Sequence, residues 1–143
     1  MTTSTIRAIS YALPTKVITQ SALIERFGEK AVKSITKMSG IRERRVVMPG
    51  QCASDLAYAA AKRLIEHLEI DPATIDLLTF TSQTPDYRTP ATSSVLHGRL
   101  GLSEDCCTFD ITQACSSFMQ SLQVAHSMIV AGTARRALVL NGD

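Results

Sequence analysis

Apolar positions along the chain alternate between two periods. From Leu56 to Leu68 they recur at helical spacing, with Leu56, Ala60, Leu64 and Leu68 on one face and Ala57, Ala61 and Ile65 beside it. This predicts a helix with Ser54 as N-cap and Asp71-Pro72 beyond its end. The same period returns over Ser116 to Val130, with Phe118, Leu122, Ala125 and Ile129 aligned and Gly132 as the stop. A third helix is expected over Ala91 to Leu100, with Pro90 at its first position and Gly101 closing it. Between the helices lie short, mostly apolar runs: Ile75 to Thr81, Cys106 to Ile111 and Arg136 to Leu140. Such runs suit the buried strands of a parallel sheet. Upstream, Thr5 to Ala12 reads as an opening strand closed by Pro14. Ser21 to Phe27 and Glu29 to Met38 read as short helices, and Ile41 to Met48 as an irregular strand or arm ended by Pro49-Gly50. The alternation predicts an α/β layered fold, one βαβαβ unit with a mainly parallel sheet. Active sites in such folds gather at the carboxyl ends of strands. Two loops fit that position: Ser82 to Thr89 and Thr112 to Ser116.

Composition narrows the function classes. The 143 residues carry 15 basic and 13 acidic side chains, a net charge of +2, without the basic excess of a nucleic-acid binder. No apolar run approaches the roughly 20 residues of a membrane helix. The start, Met-Thr-Thr-Ser-Thr, has neither a basic leader nor an apolar core, so the expected compartment is the reducing cytoplasm. Cys52, Cys106, Cys107 and Cys115 are then expected as free thiols. Their spacing contains no C-x-x-C pair, so no metal site is expected. Cys106 and Cys107 are adjacent in a strand, point to opposite faces and read as packing residues.

The glycine-rich phosphate motifs and the serine nucleophile elbow are absent. The sharpest local feature is Phe109 to Phe118, where a strand ends, a short polar turn follows and Cys115 opens a helix. Unpaired N–H groups at a helix start favour an anion, and a thiolate is one. The same groups can support the oxyanion formed when a thiolate attacks a thioester. A small buried hydrophobe is the plainer reading of such a cysteine, and position alone favours it. His126 lies eleven residues on, roughly 16 Å along the helix, too far to serve Cys115. His67 and His97 read as helix-surface residues. Arg42, Arg44 and Arg45 either hold phosphates or an acidic protein partner, or form a solvated face interrupted by Glu43.

These residues resemble the β-ketoacyl-acyl carrier protein synthase III family, of the thiolase fold. Ser39-Gly40-Ile41-Arg42-Glu43-Arg44 is similar to that family's T-G-I-R-x-R segment. Ile75-Asp76-Leu77-Leu78, the loop from Thr84 to Pro90, and Arg99-Leu100-Gly101-Leu102 resemble the elements that follow. Asp110 to Phe118 resembles the nucleophile segment, and Ala137 to Asp143 the strand after it. The resemblance places the active cysteine on Cys115. It implies that Cys115 takes an acyl group from an acyl-CoA or acyl carrier protein thioester. A malonyl thioester then loses carbon dioxide and condenses with it, without a metal or other cofactor. It also implies a homodimer that pairs through the Cys106–Asp110 strand.

The resemblance assigns substrate-binding positions to Met38, Arg42 and Thr89. Two of them depart from the family pattern. Ser34 and Met38 stand where a tryptophan and an arginine often clamp the CoA adenine. Thr89 stands where a phenylalanine often reaches into the partner's acyl pocket. Family chains are more than twice as long, and their histidine and asparagine come from the second half. The expectation is therefore an N-terminal half, residues 1–143, inactive by itself. Two alternatives are an acyltransferase to a hydroxyl or amine without condensation, and a non-catalytic half-subunit that pairs with a full-length synthase.

Overall fold

The computed structural model describes residues 3–143. The chain divides into two compact units, one of residues 13–51 and one of residues 1–12 with 52–143.

In the larger unit, the expected βαβαβ order is present. The strands β3 (Leu77–Thr81), β4 (Cys107–Ile111) and β5 (Ala137–Asn141) form a parallel sheet in the order β4-β3-β5. Helix α4 (Thr92–Leu100) links β3 to β4, and α5 (Ser117–Val130) links β4 to β5. Alternation along β3 decides what each face buries. Leu78 and Phe80 face a core shared with Ala57, Ala61 and Ile65 of α3 (Ala53–His67) and Leu96 of α4. Leu77 faces the other way, against Ala125 of α5 and Ala134. The result is three layers, with α3 and α4 on one face and α5 on the other. Every residue of β3 is buried, as its central place requires. Phe80, Leu77, Leu78 and Leu96 are wholly inaccessible, each contributing roughly 1.5–3 kcal/mol by burial.

Carboxylates tie the elements together. Asp76 accepts from the backbone N–H groups of Arg135 (2.6 Å) and Arg136 (3.1 Å), which aligns the start of β5 with β3. Asp110, near the end of β4, accepts from the N–H groups of Thr92 (2.9 Å) and Ser93 (2.8 Å). These are first-turn donors of α4, which no intrahelical carbonyl satisfies.

In the smaller unit, β1 (Lys16–Ile18) pairs antiparallel with β2 (Arg44–Val46) around α1 (Gln20–Phe27) and α2 (Glu29–Ser39). Gly40 ends α2 in the left-handed conformation, φ 73°, which a side chain would resist.

Three expectations are corrected. Thr5 to Ala12 is not a strand: Ile6, Ile9 and Tyr11 are 65%, 83% and 69% exposed, and no described strand pairs with them. An alternating pattern marks a segment able to pair, but a strand needs a neighbouring edge. Cys52, not Ser54, is the N-cap of α3; Ser54 is the buried second residue of the helix, and Asp55 closes the start by accepting from the Cys52 N–H at 2.9 Å. Pro90 precedes α4 rather than opening it, and Ala91 takes the cap position.

Candidate active site

The carboxyl ends of β3, β4 and β5 converge, and an open cavity of about 260 Å³ lies there. Thr81 and Ser82 enter it from the end of β3, and Asn141, Gly142 and Asp143 from the end of β5. Ala114, Cys115 and Phe118 enter from the connection between β4 and α5.

That connection is a tight elbow. Cys115 does not open α5 directly, as expected from the sequence. It sits in a single 3₁₀ turn, Ala114–Ser116, and α5 begins at Ser117. Ala114 is held at φ 50°. A non-glycine residue in this region costs roughly 1–2 kcal/mol, so the surroundings must impose it. They do so through three hydrogen bonds at Gln113. Its N–H donates to the Ser117 hydroxyl (2.6 Å), its carbonyl accepts from the Ser116 hydroxyl (2.7 Å), and its side-chain carbonyl accepts from Gln120 Nε2 (2.6 Å). The outcome is an exposed Cys115 beside the cavity, in the single turn that leads into α5, where the Ser117 N–H donates to the Ala114 carbonyl.

The opposite wall is a polar lattice. Thr81 donates its hydroxyl to Asn141 Oδ1 (2.5 Å) across the β3–β5 pair. Asp143 accepts from the Ser82 hydroxyl (2.8 Å), the Gln83 N–H (2.6 Å) and Gln83 Nε2 (3.1 Å). Burial pushes the Asp143 carboxyl up, but the hydrogen bonds from Gln83, Ser82 and Thr84 outweigh it and hold the group below the usual range. Asn141 and Asp143 carry no motif of their own; their signal is their place at the end of an expected strand, as for the loops at Ser82 and Thr112.

The other cysteines sit elsewhere. Cys106 is buried and Cys107 exposed, as alternation requires, and burial, with the nearby Cys107 and Asp76, pushes the Cys106 thiol up to about 11. All four cysteines are free. None of the three histidines lines the cavity: a His97 ring nitrogen donates to the Ser103 carbonyl (2.8 Å), His126 Nδ1 bonds the Ser4 hydroxyl (2.8 Å), and His67 is exposed near the end of α3. Thr89 is exposed and does not line the cavity, while Met38 and Arg42 belong to the other unit, both exposed. Among the described residues no cluster of histidine, cysteine or carboxylate side chains could hold a metal ion. No described helix is long and apolar enough to cross a membrane.

Fold and site together define an α/β protein with a cysteine at a strand–turn–helix elbow above the carboxyl edge of a parallel sheet. Comparison with known proteins agrees with this arrangement. Residues 109–143, the elbow and the strand after it, match the family model for 3-oxoacyl-[acyl-carrier-protein] synthase III. Over 131 residues, 92% of this chain and 40% of the relative, it is 37% identical to a beta-ketoacyl-[acyl-carrier-protein] synthase III of Xylella fastidiosa. The crystal structure of a 3-oxoacyl-(acyl-carrier protein) synthase from Burkholderia xenovorans superposes with a TM-score of 0.87 at 35% identity, covering 97% of this chain and 40% of that one. A variant of OleA from Xanthomonas campestris superposes with a TM-score of 0.87 at 30% identity, covering 100% and 45%. The chain is similar to proteins of the 3-oxoacyl-[acyl-carrier-protein] synthase III family and shares their thiolase fold. It spans about 40% of the length of the curated relative it matches.

Proposed function

We propose that this chain is the N-terminal half of a ketoacyl synthase III-like acyltransferase, with Cys115 as the acyl-accepting nucleophile. The observation that carries this reading is Cys115 exposed at a strained elbow, beside a cavity at the carboxyl edge of the sheet. In the first step the Cys115 sulfur attacks the carbonyl of an acyl-CoA or acyl carrier protein thioester. The thiol proton goes to the departing carrier thiolate, and an acyl-cysteine remains. In the second step a malonyl thioester loses carbon dioxide, and the resulting carbanion attacks the acyl-cysteine carbonyl. The cysteine sulfur leaves and regains a proton, and the product is a 3-oxoacyl thioester. Neither step changes an oxidation state, so the scheme calls for no redox cofactor.

The first-turn N–H groups around Cys115 are suited to the oxyanion of both steps. No histidine among the described residues lines the cavity, which supports a base supplied from outside this stretch of chain. Strand β4 lies at the edge of the sheet, which supports pairing with a second copy there.

The test is acyl transfer to the intact enzyme, read by protein mass. Wild type is expected to gain one acyl group from an acyl thioester, and Cys115→Ala none; acylation retained by Cys115→Ala would sink the reading. Product analysis with malonyl thioester is expected to show carbon dioxide release and a 3-oxoacyl product. Transfer to a hydroxyl or amine without malonyl thioester would replace condensation with simple acyl transfer.

A further inference from the structure

The face that β5 turns toward α5 changes character at its end. Ala137 and Val139 pack with Leu77 and Ala125 in the core beneath α5. Side chains two positions apart in a strand share a face, so position 141 continues that row. An apolar residue there would extend the core. Asparagine, which strands disfavour, stands there instead. The change falls where the cavity begins, because Asn141 is exposed and lines it. The matching row on β3 also ends in a polar residue, Thr81, which lies beside Asn141 in the parallel register.

The Asn141 amide is held in one orientation. Thr81 donates its hydroxyl to Oδ1 at 2.5 Å, which leaves Nδ2 with both of its N–H donors and no acceptor among the described residues. The carboxylate in the same wall does not take them, because Asp143 accepts from Ser82 and Gln83. Two amide donors are thus left at the wall of the cavity that Cys115 also lines.

That wall sets terms for an acyl chain. A pocket for hydrocarbon is lined mainly by apolar groups. Here Thr81, Ser82, Asn141 and Asp143 form one side, and only Ala114 and Phe118 flank the cysteine with carbon. A hydrocarbon chain laid against the Asn141 donors would strip water from them and return no hydrogen bond. A chain with an oxygen at that place would accept from them. A site built to hydrogen-bond its substrate rejects the analogue that lacks the partner more strongly than an apolar pocket rejects a misfit.

We propose that the Asn141 amide selects the acyl group that Cys115 takes, favouring acyl thioesters whose chain carries an acceptor oxygen over plain hydrocarbon chains. This rests on the proposed function and names the substrate class of that same site.

The experiment follows acylation of the intact enzyme, by protein mass over time, with the N-acetylcysteamine thioesters of hexanoic acid and of its 3-oxa, 4-oxa and 5-oxa analogues. These small thioesters ask for no recognition of a carrier. In each analogue an ether oxygen replaces one methylene, so length and charge are unchanged. An ether oxygen only accepts, so it pairs with Nδ2 and not with Oδ1. At least one analogue is expected to acylate wild type faster than the hexanoyl thioester. In Asn141→Leu, similar in size and without donors, that preference is expected to fall about tenfold. Asn141→Asp keeps an acceptor for Thr81, loses the donors and is expected to fall likewise. Comparing ratios between wild type and variant removes the intrinsic reactivity of each thioester. Should one variant fail to fold, judged by circular dichroism, the other decides. An undiminished preference in the folded variants would overturn the proposal, as would a wild type that takes the hexanoyl group at least as fast as every analogue. Acylation absent from wild type, or retained by Cys115→Ala, would instead bring down the proposed function and this selection with it.

Discussion

At the residue scale, Asp143 illustrates how a carboxylate can hold one wall of a cavity. It gathers donors from Ser82 and Gln83, and those bonds outweigh its partial desolvation and hold its pKa below the usual carboxylate range. A depressed folded pKa contributes stability that is present above the unfolded value, about 3.9, and is lost as pH falls through the folded one. Asp143→Asn is therefore expected to lower stability at pH 6 and to match wild type near pH 2. Urea unfolding of both proteins across that range checks this. An equal difference at both ends would show that the contribution is packing rather than charge. Cys115 shows what local reading can and cannot supply. Its place between a strand and a helix was legible from Phe109 to Phe118. The left-handed Ala114 and the intervening 3₁₀ turn were not, because alanine carries no sequence signal for positive φ; hydrogen bonds at Gln113 impose it.

At the element scale, the register of β3 with β4 places Asp110 opposite Phe80, and its carboxylate reaches the first turn of α4. This bond fixes the end of the loop that starts at Ser82 in the cavity wall. Removing it leaves two first-turn donors without an acceptor, at a cost of about 1–3 kcal/mol. Asp110→Ala is expected to lose that much stability and to loosen α4 first. Hydrogen exchange at the Thr92 and Ser93 amides reads this directly: faster exchange there than in β3 is expected, and unchanged protection would refute the role. Helices α1, α2, α4 and α5 were legible within a residue or two because their apolar period and stop glycines are local. The short strand β1 was not, and Thr5 to Ala12 was read as a strand without becoming one. Strand identity depends on a partner edge, which no window of sequence contains.

At the scale of the whole molecule, the two units differ in how they are held. The larger has a buried parallel sheet with cores on both faces, while Pro14 and Val32 are the buried residues of the smaller among the described residues. Local opening follows the density of buried contacts. Amides of α1 and α2 are expected to exchange well before those of β3 and β5, measured by hydrogen exchange on the intact chain; equal protection would contradict it. By itself the sequence determined the βαβαβ order, the parallel sheet, the family resemblance and the candidate nucleophile, because periodicity, stop residues and the Asp110 to Phe118 motif are properties of short stretches. Only the tertiary structure decided which strand ends meet. Thr81, Asn141 and Cys115 are far apart in the chain, and the strand order β4-β3-β5 brings them to one cavity. That juxtaposition rests on hydrogen-bond ladders between distant segments, whose pairing energy is non-local.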